Sequence, residues 1–112
     1  MQKLPARFFR SGSGDEPARN WLRRLPKTAK RILGEDIATV QYGWPVGMPL
    51  VRKMEPNLWE LRSRLHDGIA RTFFTVHDGT LVLLHGFVKK SARTPKCELE
   101  IARQRMKEVL NA

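Results

Sequence analysis

The spacing of hydrophobic and polar positions changes rhythm twice along this chain. From Trp21 to Val40 the apolar residues recur at helical spacing: Trp21, Leu22 and Leu25, then, past Pro26, Ala29, Ile32, Leu33, Ile37 and Val40. Proline lacks an amide donor and clashes with the preceding turn, so Pro26 divides the pattern into two helices, a helical hairpin ending near Tyr42-Gly43. Asp15 stands where an N-cap belongs, with Glu16 and Pro17 suited to the first turn. Upstream of it, "KLPARFFR" predicts a short strand that leads into the flexible "SGSG".

After the Gly- and Pro-rich "GWPVGMP" the pattern turns to strands. Four are predicted: "LVRKME", "NLWELRSRLH", "IARTFFTVH" and "TLVLLHGFVKK". His-Asp-Gly occurs twice, at 66–68 and 77–79, and Asp-Gly favours two-residue hairpins because glycine accepts a positive φ. The last three strands should therefore form an antiparallel meander. The run "LVLLHGFV" is apolar on both faces, as befits a strand covered on both sides. Helical spacing then returns in Leu99, Ala102, Met106, Val109 and Leu110, with Thr94 as candidate N-cap and Pro95 at the first helical position. The expectation is a single α+β domain over residues 1–112, with the N-terminal hairpin and the C-terminal helix packed on an antiparallel sheet.

Register decides where the charges go. A two-residue turn at Asp67-Gly68 sets Arg64 opposite Arg71 and sends Arg62, Arg64, Arg71 and Phe73 to one face, with Trp59 and Leu61 facing the helices. The same logic at Asp78-Gly79 sets Gly86 opposite Arg71 and brings Leu84, Val88 and Lys90 to that face, leaving His85 toward the helices. Like charges opposed across strands repel unless an anion settles between them. Glu60, on the same face, is placed to pair with Arg62 or Arg64, to orient an arginine or to handle a proton. Phe73 is the one aromatic expected on this face for base stacking.

Charge sharpens the picture. Lys and Arg number 21 against 11 Asp and Glu, a formal net charge of +10, which suits a polyanion, an acidic protein or an anionic membrane surface. Lys89, Lys90, Arg93 and Lys96 bracket the last strand-to-helix connection, where the amides at the helix start add positive partial charge, so this corner should attract phosphate. No apolar run is long enough to cross a bilayer, and neither a targeting segment nor a second cysteine to pair with Cys97 is present, so a cytoplasmic location is expected. His66, His77 and His85 lack ligand spacing, and no metal site or cofactor is expected.

Taken together, "LWELRSR", "ARTFF" and "VLLHGFVKKSARTP" resemble the RelE superfamily of toxins, in its phage-derived HigB-like branch, from about Leu50 onward. The resemblance implies a RelE-like fold with a curved sheet whose concave face and C-terminal helix form the site. It also implies metal-independent cleavage of mRNA in the ribosomal A site, and a co-encoded antitoxin, HigA-like with a helix-turn-helix, as partner. By resemblance Arg71 stands for the third-strand arginine that contacts the scissile phosphate and Lys90 for the basic catalytic residue at the end of the fourth strand, and Arg62 stands where relatives carry a lysine proposed as base, although a guanidinium is a poor proton acceptor. Glu60 is then a candidate base or orienting group, while Arg64, Lys89, Arg93 and Lys96 are candidate RNA contacts. Lys96 falls near a tyrosine of some relatives; Tyr42 is the only tyrosine here. The alternatives are a ParE-like gyrase inhibitor, a nucleic-acid-binding module without activity, and a phage protein that has lost its activity.

Overall fold

The computed structural model describes residues 3–89 and 94–112. Five strands and three helices follow the order β1 (Ala6–Phe8), α1 (Pro17–Arg24), α2 (Lys27–Gly43), β2 (Val51–Glu55), β3 (Leu58–Leu65), β4 (Gly68–His77), β5 (Thr80–Lys89) and α3 (Lys96–Leu110). They build one sheet in the order β1-β5-β4-β3-β2. The sheet is mixed rather than antiparallel throughout, because β1 joins β5 in parallel, with Arg7 beside Val82. A parallel partner needs a long connection, and β1 reaches β5 only after the whole helical and meander segment has intervened.

Helices cover both faces. Ala18 of α1 and Val40 of α2 pack with Val51, Leu61, Phe74, Leu81 and Leu83 on one face. Here the rings of Trp44, Trp59 and Phe74 lie 4.9 to 5.9 Å apart. On the other face Ala102, Met106 and Val109 of α3 pack with Phe9, Leu58, Phe73, Val82, Leu84 and Phe87. A fully buried large apolar side chain is worth about 1.5–3 kcal/mol, so these two layers carry most of the stability. α1 begins at Pro17 itself with Glu16, not Asp15, at the cap position, and α3 begins after Pro95; neither has a side-chain cap, and α1 ends where Pro26 forces an extended residue at Leu25.

The hairpins follow the expected chemistry with two changes of register. Asp78 and Gly79 have φ of 49° and 70°, the paired left-handed conformation of a type I′ turn, and His77 pairs with Thr80 as expected. At the other His-Asp-Gly the turn occupies His66 and Asp67, so Leu65 pairs with Gly68 and Arg62, not Arg64, lies opposite Arg71. A slip of one turn residue moves the pairing by two positions, so the predicted faces survive. The second change is a bulge in β5: Phe74 pairs with Leu83 but Phe73 with His85, so Leu84 is the extra residue. Beyond it every side chain changes face. Phe87 takes the place expected for Gly86 opposite Arg71, His85 joins the α3 face, and Val88 turns toward α2. Gly86 instead lies under α1, where a Cβ would come within 2.1 Å of the Trp21 ring, so its small size serves packing and not ligand approach.

Candidate phosphate-binding site

Three cross-strand rows define the α3 face at the end of the sheet. Glu60, Phe73 and His85 form the first, Arg62, Arg71 and Phe87 the second, and Arg64, Ile69 and Lys89 the third. The first row is closed by α3, and Phe73 is fully buried there, so the ring expected to stack on bases is part of the core. Arg64 and Lys89 flank Ile69 from the two neighbouring strands, which sets their Cα atoms about 10 Å apart at ordinary strand spacing. Among the described residues neither has an ion-pair partner.

The middle row solves the repulsion of its opposed arginines internally. Glu60 Oε1 accepts a hydrogen bond from Arg71 Nη1 at 2.9 Å, while Arg62 Nε stands 3.9 Å from the same oxygen. The second carboxylate oxygen accepts from Thr94 Oγ1 at 2.9 Å. Thr94 therefore does not cap α3. Its hydroxyl ties the segment before that helix to β3, and α3 starts one residue later than expected, at Lys96. Glu60 and Arg71 side chains are 0% exposed, whereas Arg62 keeps 24% of its surface and has an Nε that is buried without an acceptor among the described residues. A buried pair of this kind costs desolvation that its attraction barely offsets, so it is weak support for stability and a strong device for fixing geometry.

The predicted site residues thus divide. Arg62, Arg71 and Glu60 meet at the start of α3; Arg64 and Lys89 lie in the adjoining row; Lys96 is exposed at the first position of α3. Lys90 and Arg93 lie outside the described residues. Arg71 has no exposed surface with which to meet a phosphate in this arrangement, and both Glu60 oxygens are occupied by donors.

Farther along α3 a second polar group holds the helix in place. Arg105 Nη1 donates to the Leu84 carbonyl at 2.8 Å and to His85 Nδ1 at 3.3 Å. Since a guanidinium only donates, Nδ1 accepts, the His85 proton sits on Nε2, and that nitrogen donates to Glu98 Oε1 at 2.9 Å. Burial pushes the Arg105 pKa down. Arg103 grips Glu55 of β2 through Nε and Nη2 at 2.9–3.1 Å and also donates to Glu100. The hydrogen bonds from Arg103 hold the Glu55 carboxyl below its usual range, against an opposing effect of burial. The sequence reading missed these contacts; the charges recurring along α3 at 98, 100, 103 and 105 were visible, but their partners on β2 and β5 required the fold. Among the described residues no three His, Cys, Asp or Glu side chains gather as a metal site.

Comparisons with known proteins agree with the fold. The family described as phage-derived protein Gp49-like (DUF891) matches residues 20–107. The crystal structure of the isolated E. coli RelE toxin superposes with a TM-score of 0.55 at 19% identity, covering 90% of this chain and 98% of that one. No curated protein sequence matches the chain.

Proposed function

The chain belongs to the phage-derived Gp49-like family and has the RelE-type fold, and from that premise we propose that it is the toxin of a toxin–antitoxin pair, a ribosome-dependent endoribonuclease that cuts mRNA. The observation that carries the reading is the pair of rows at the sheet end, in which Arg64 and Lys89 are unpaired among the described residues beside the buried Arg71–Glu60 pair and the partly exposed Arg62. A phosphodiester bridging Arg64 and Lys89, with Arg62 and Lys96 at its margins, meets cations from two strands and one helix start. The reaction asks for attack of a ribose 2′-hydroxyl: the 2′-oxygen–phosphorus bond forms, the phosphorus–5′-oxygen bond breaks, the 2′-hydroxyl loses a proton and the departing 5′-oxygen gains one. The chain's contribution is charge and position. Guanidinium groups stabilise the extra negative charge of the phosphorane-like transition state without taking a proton.

Glu60 serves in this scheme as the anion that sets Arg62 beside Arg71, not as the base, because both of its oxygens already accept hydrogen bonds. Arg71 works through Glu60 and Arg62 and is a positioning residue. The resemblance keeps Lys90 and Arg93 in the scheme as phosphate contacts. That no exposed aromatic stands on this face among the described residues fits a protein whose substrate is presented by the ribosome. An antitoxin, HigA-like by the same resemblance, completes the pair, and the reading places both proteins in the cytoplasm; among the described residues no helix is long and apolar enough to cross a membrane.

A second reading is favoured by one observation. The full burial of Arg71 suits a relative that binds nucleic acid or another target, such as gyrase, without cutting RNA. Inducible expression without antitoxin, followed by mapping of mRNA 5′ ends, separates the two: breaks within translated codons are expected, and Arg64→Ala with Lys89→Ala should lower their frequency roughly a hundredfold. Intact mRNA with a DNA-damage response would replace the first reading by the second.

A further inference from the structure

We propose that His85 is a positioning residue: it pins α3 along the sheet and thereby sets where the start of that helix stands over the phosphate site. Glu98 and Arg105 are seven residues apart on α3, about 10.5 Å along the axis at about 1.5 Å per residue, beyond the i,i+4 spacing at which helix side chains pair. His85 of β5 joins them. Its Nδ1 accepts from Arg105 Nη1 at 3.3 Å and its Nε2 donates to Glu98 Oε1 at 2.9 Å, while the same Arg105 nitrogen donates to the Leu84 carbonyl at 2.8 Å. One imidazole thus holds two turns of the helix, one through each ring nitrogen.

This arrangement controls sliding, which the apolar contacts do not. Ala102, Met106 and Val109 of α3 pack on Phe73, Leu84 and Phe87 by contacts without direction. A hydrogen bond, in contrast, weakens steeply as its length and angle leave the optimum. Because the ring lies between its two partners, a helix shift of one residue's rise, about 1.5 Å, draws one partner away and drives the other into the ring, whichever way the helix moves. The ring has little freedom to follow. Its centroid lies 6.3 Å from that of Phe73, with the two planes 3° apart, and 6.2 Å from that of Phe87, and the side chain is 16% exposed. With both nitrogens engaged and α3 covering its row, His85 fixes geometry and does not hand a proton to substrate.

What the pin sets is the helix start. Lys96 stands two residues before Glu98, and Thr94 ties the preceding segment to Glu60 Oε2 at 2.9 Å. Thr94 fixes this corner against β3 and His85 fixes it against β5, so Lys96 is held relative to both Arg64 and Lys89. A misplacement of about 1 Å can cost about a hundredfold in rate. That the pin matters for cleavage is the part that rests on the proposed function.

The test uses the full chain, with a nitroxide on Cys97, its single cysteine, exposed at the second position of α3. In the native chain 15N spectra should place the His85 proton on Nε2, and the label should broaden the amides of Arg64 and Lys89 in a fixed pattern. His85→Phe keeps the ring stack and deletes both bonds. The pattern should change while the chain stays folded, and kcat for mRNA cleavage on ribosomes should fall roughly thirtyfold per folded molecule with KM within about twofold. His85→Asn, which keeps an acceptor near Nδ1, and His85→Gln, which keeps a donor near Nε2, should each restore part of both. Glu98→Ala, at a partly exposed position, releases one arm of the pin and should displace the label in the same direction even if His85→Phe fails to fold. A label pattern unchanged by every variant, a proton on Nδ1, or a displaced label with full kcat would overturn the proposal. A native chain that cuts no mRNA would overturn the proposed function instead, and the label would still decide the pin.

Discussion

The two faces of the sheet are both covered by helices, with different chemistry beneath them. Under α1 and α2 the interior holds no buried charge among the described residues: it is apolar apart from the hydroxyls of Ser63 and Thr72, and its centre is the Trp44–Trp59–Phe74 cluster. Under α3 the apolar layer includes Leu58 of β3 and Phe73 of β4, and the next positions of those strands on this face are Glu60 and Arg62 on β3 and Arg71 on β4. A folding surface has no use for a fully buried arginine and glutamate when Leu and Phe would fill the space more cheaply. On the proposed function, the contrast marks the α3 face as the working one by what its buried charges cost.

The largest effect should come from splitting the buried pair. Glu60→Leu leaves the Arg71 guanidinium deprived of its carboxylate in a site with no exposed surface, and about 3–5 kcal/mol of stability should be lost in urea unfolding. Adding Arg71→Met should restore most of that loss, because two apolar side chains of similar volume suit a dry site. The double variant should nonetheless stay inactive in the 5′-end mapping assay, since Arg62 has lost its orienting anion. A double variant that is stable and still cuts mRNA would reduce the network to structure and erase the functional difference between the faces.

On the opposite face the expected cost is purely steric. Gly86→Ala forces a methyl group into the Trp21 ring, which is half-buried and can swing only by giving up its packing on β5. A loss of about 1–3 kcal/mol is expected by thermal or urea unfolding, with cleavage per folded molecule unchanged. Lost cleavage at full stability would mean that α1 and the basic rows communicate across the sheet.

This division between faces was partly legible in the sequence. Helical and alternating periods placed every element, and the parity of Arg62, Arg64, Arg71 and Phe73 survived the slip of the first hairpin because an even shift preserves faces. The bulge at Leu84 was hidden for a physical reason. In "LVLLHGFV" both faces are apolar, so no polar residue marks where alternation breaks, and His85, Gly86 and Val88 were assigned to the wrong sides. Arg71 read as a surface cation because local sequence cannot show that α3 and Thr94 approach from 23 or more positions away to cover it. Nor could it show that Thr94 would give its hydroxyl to Glu60 and not to the helix it precedes.

The smallest effect sharpens the comparison within the α3 face itself. Arg103–Glu55 has the same chemistry as Arg71–Glu60, but the two side chains keep 28% and 25% of their surface, so water has already paid most of the desolvation. Its worth should therefore be that of a well-formed surface bridge, about 0.5–1 kcal/mol. The pH dependence has a definite sign. The Glu55 carboxyl is held below its usual value in the folded chain by Arg103, so its contribution is complete above the unfolded carboxyl pKa of about 4.3 and fades as pH falls through the lower folded value. Urea unfolding of Glu55→Gln should show the deficit at neutral pH, with the gap starting to narrow below about pH 4, where an unfolded carboxyl protonates, and closing only once the pH has passed the lower folded value. A deficit that persists undiminished in acid would place the bridge's value in packing of the Arg103 stem and not in its charge.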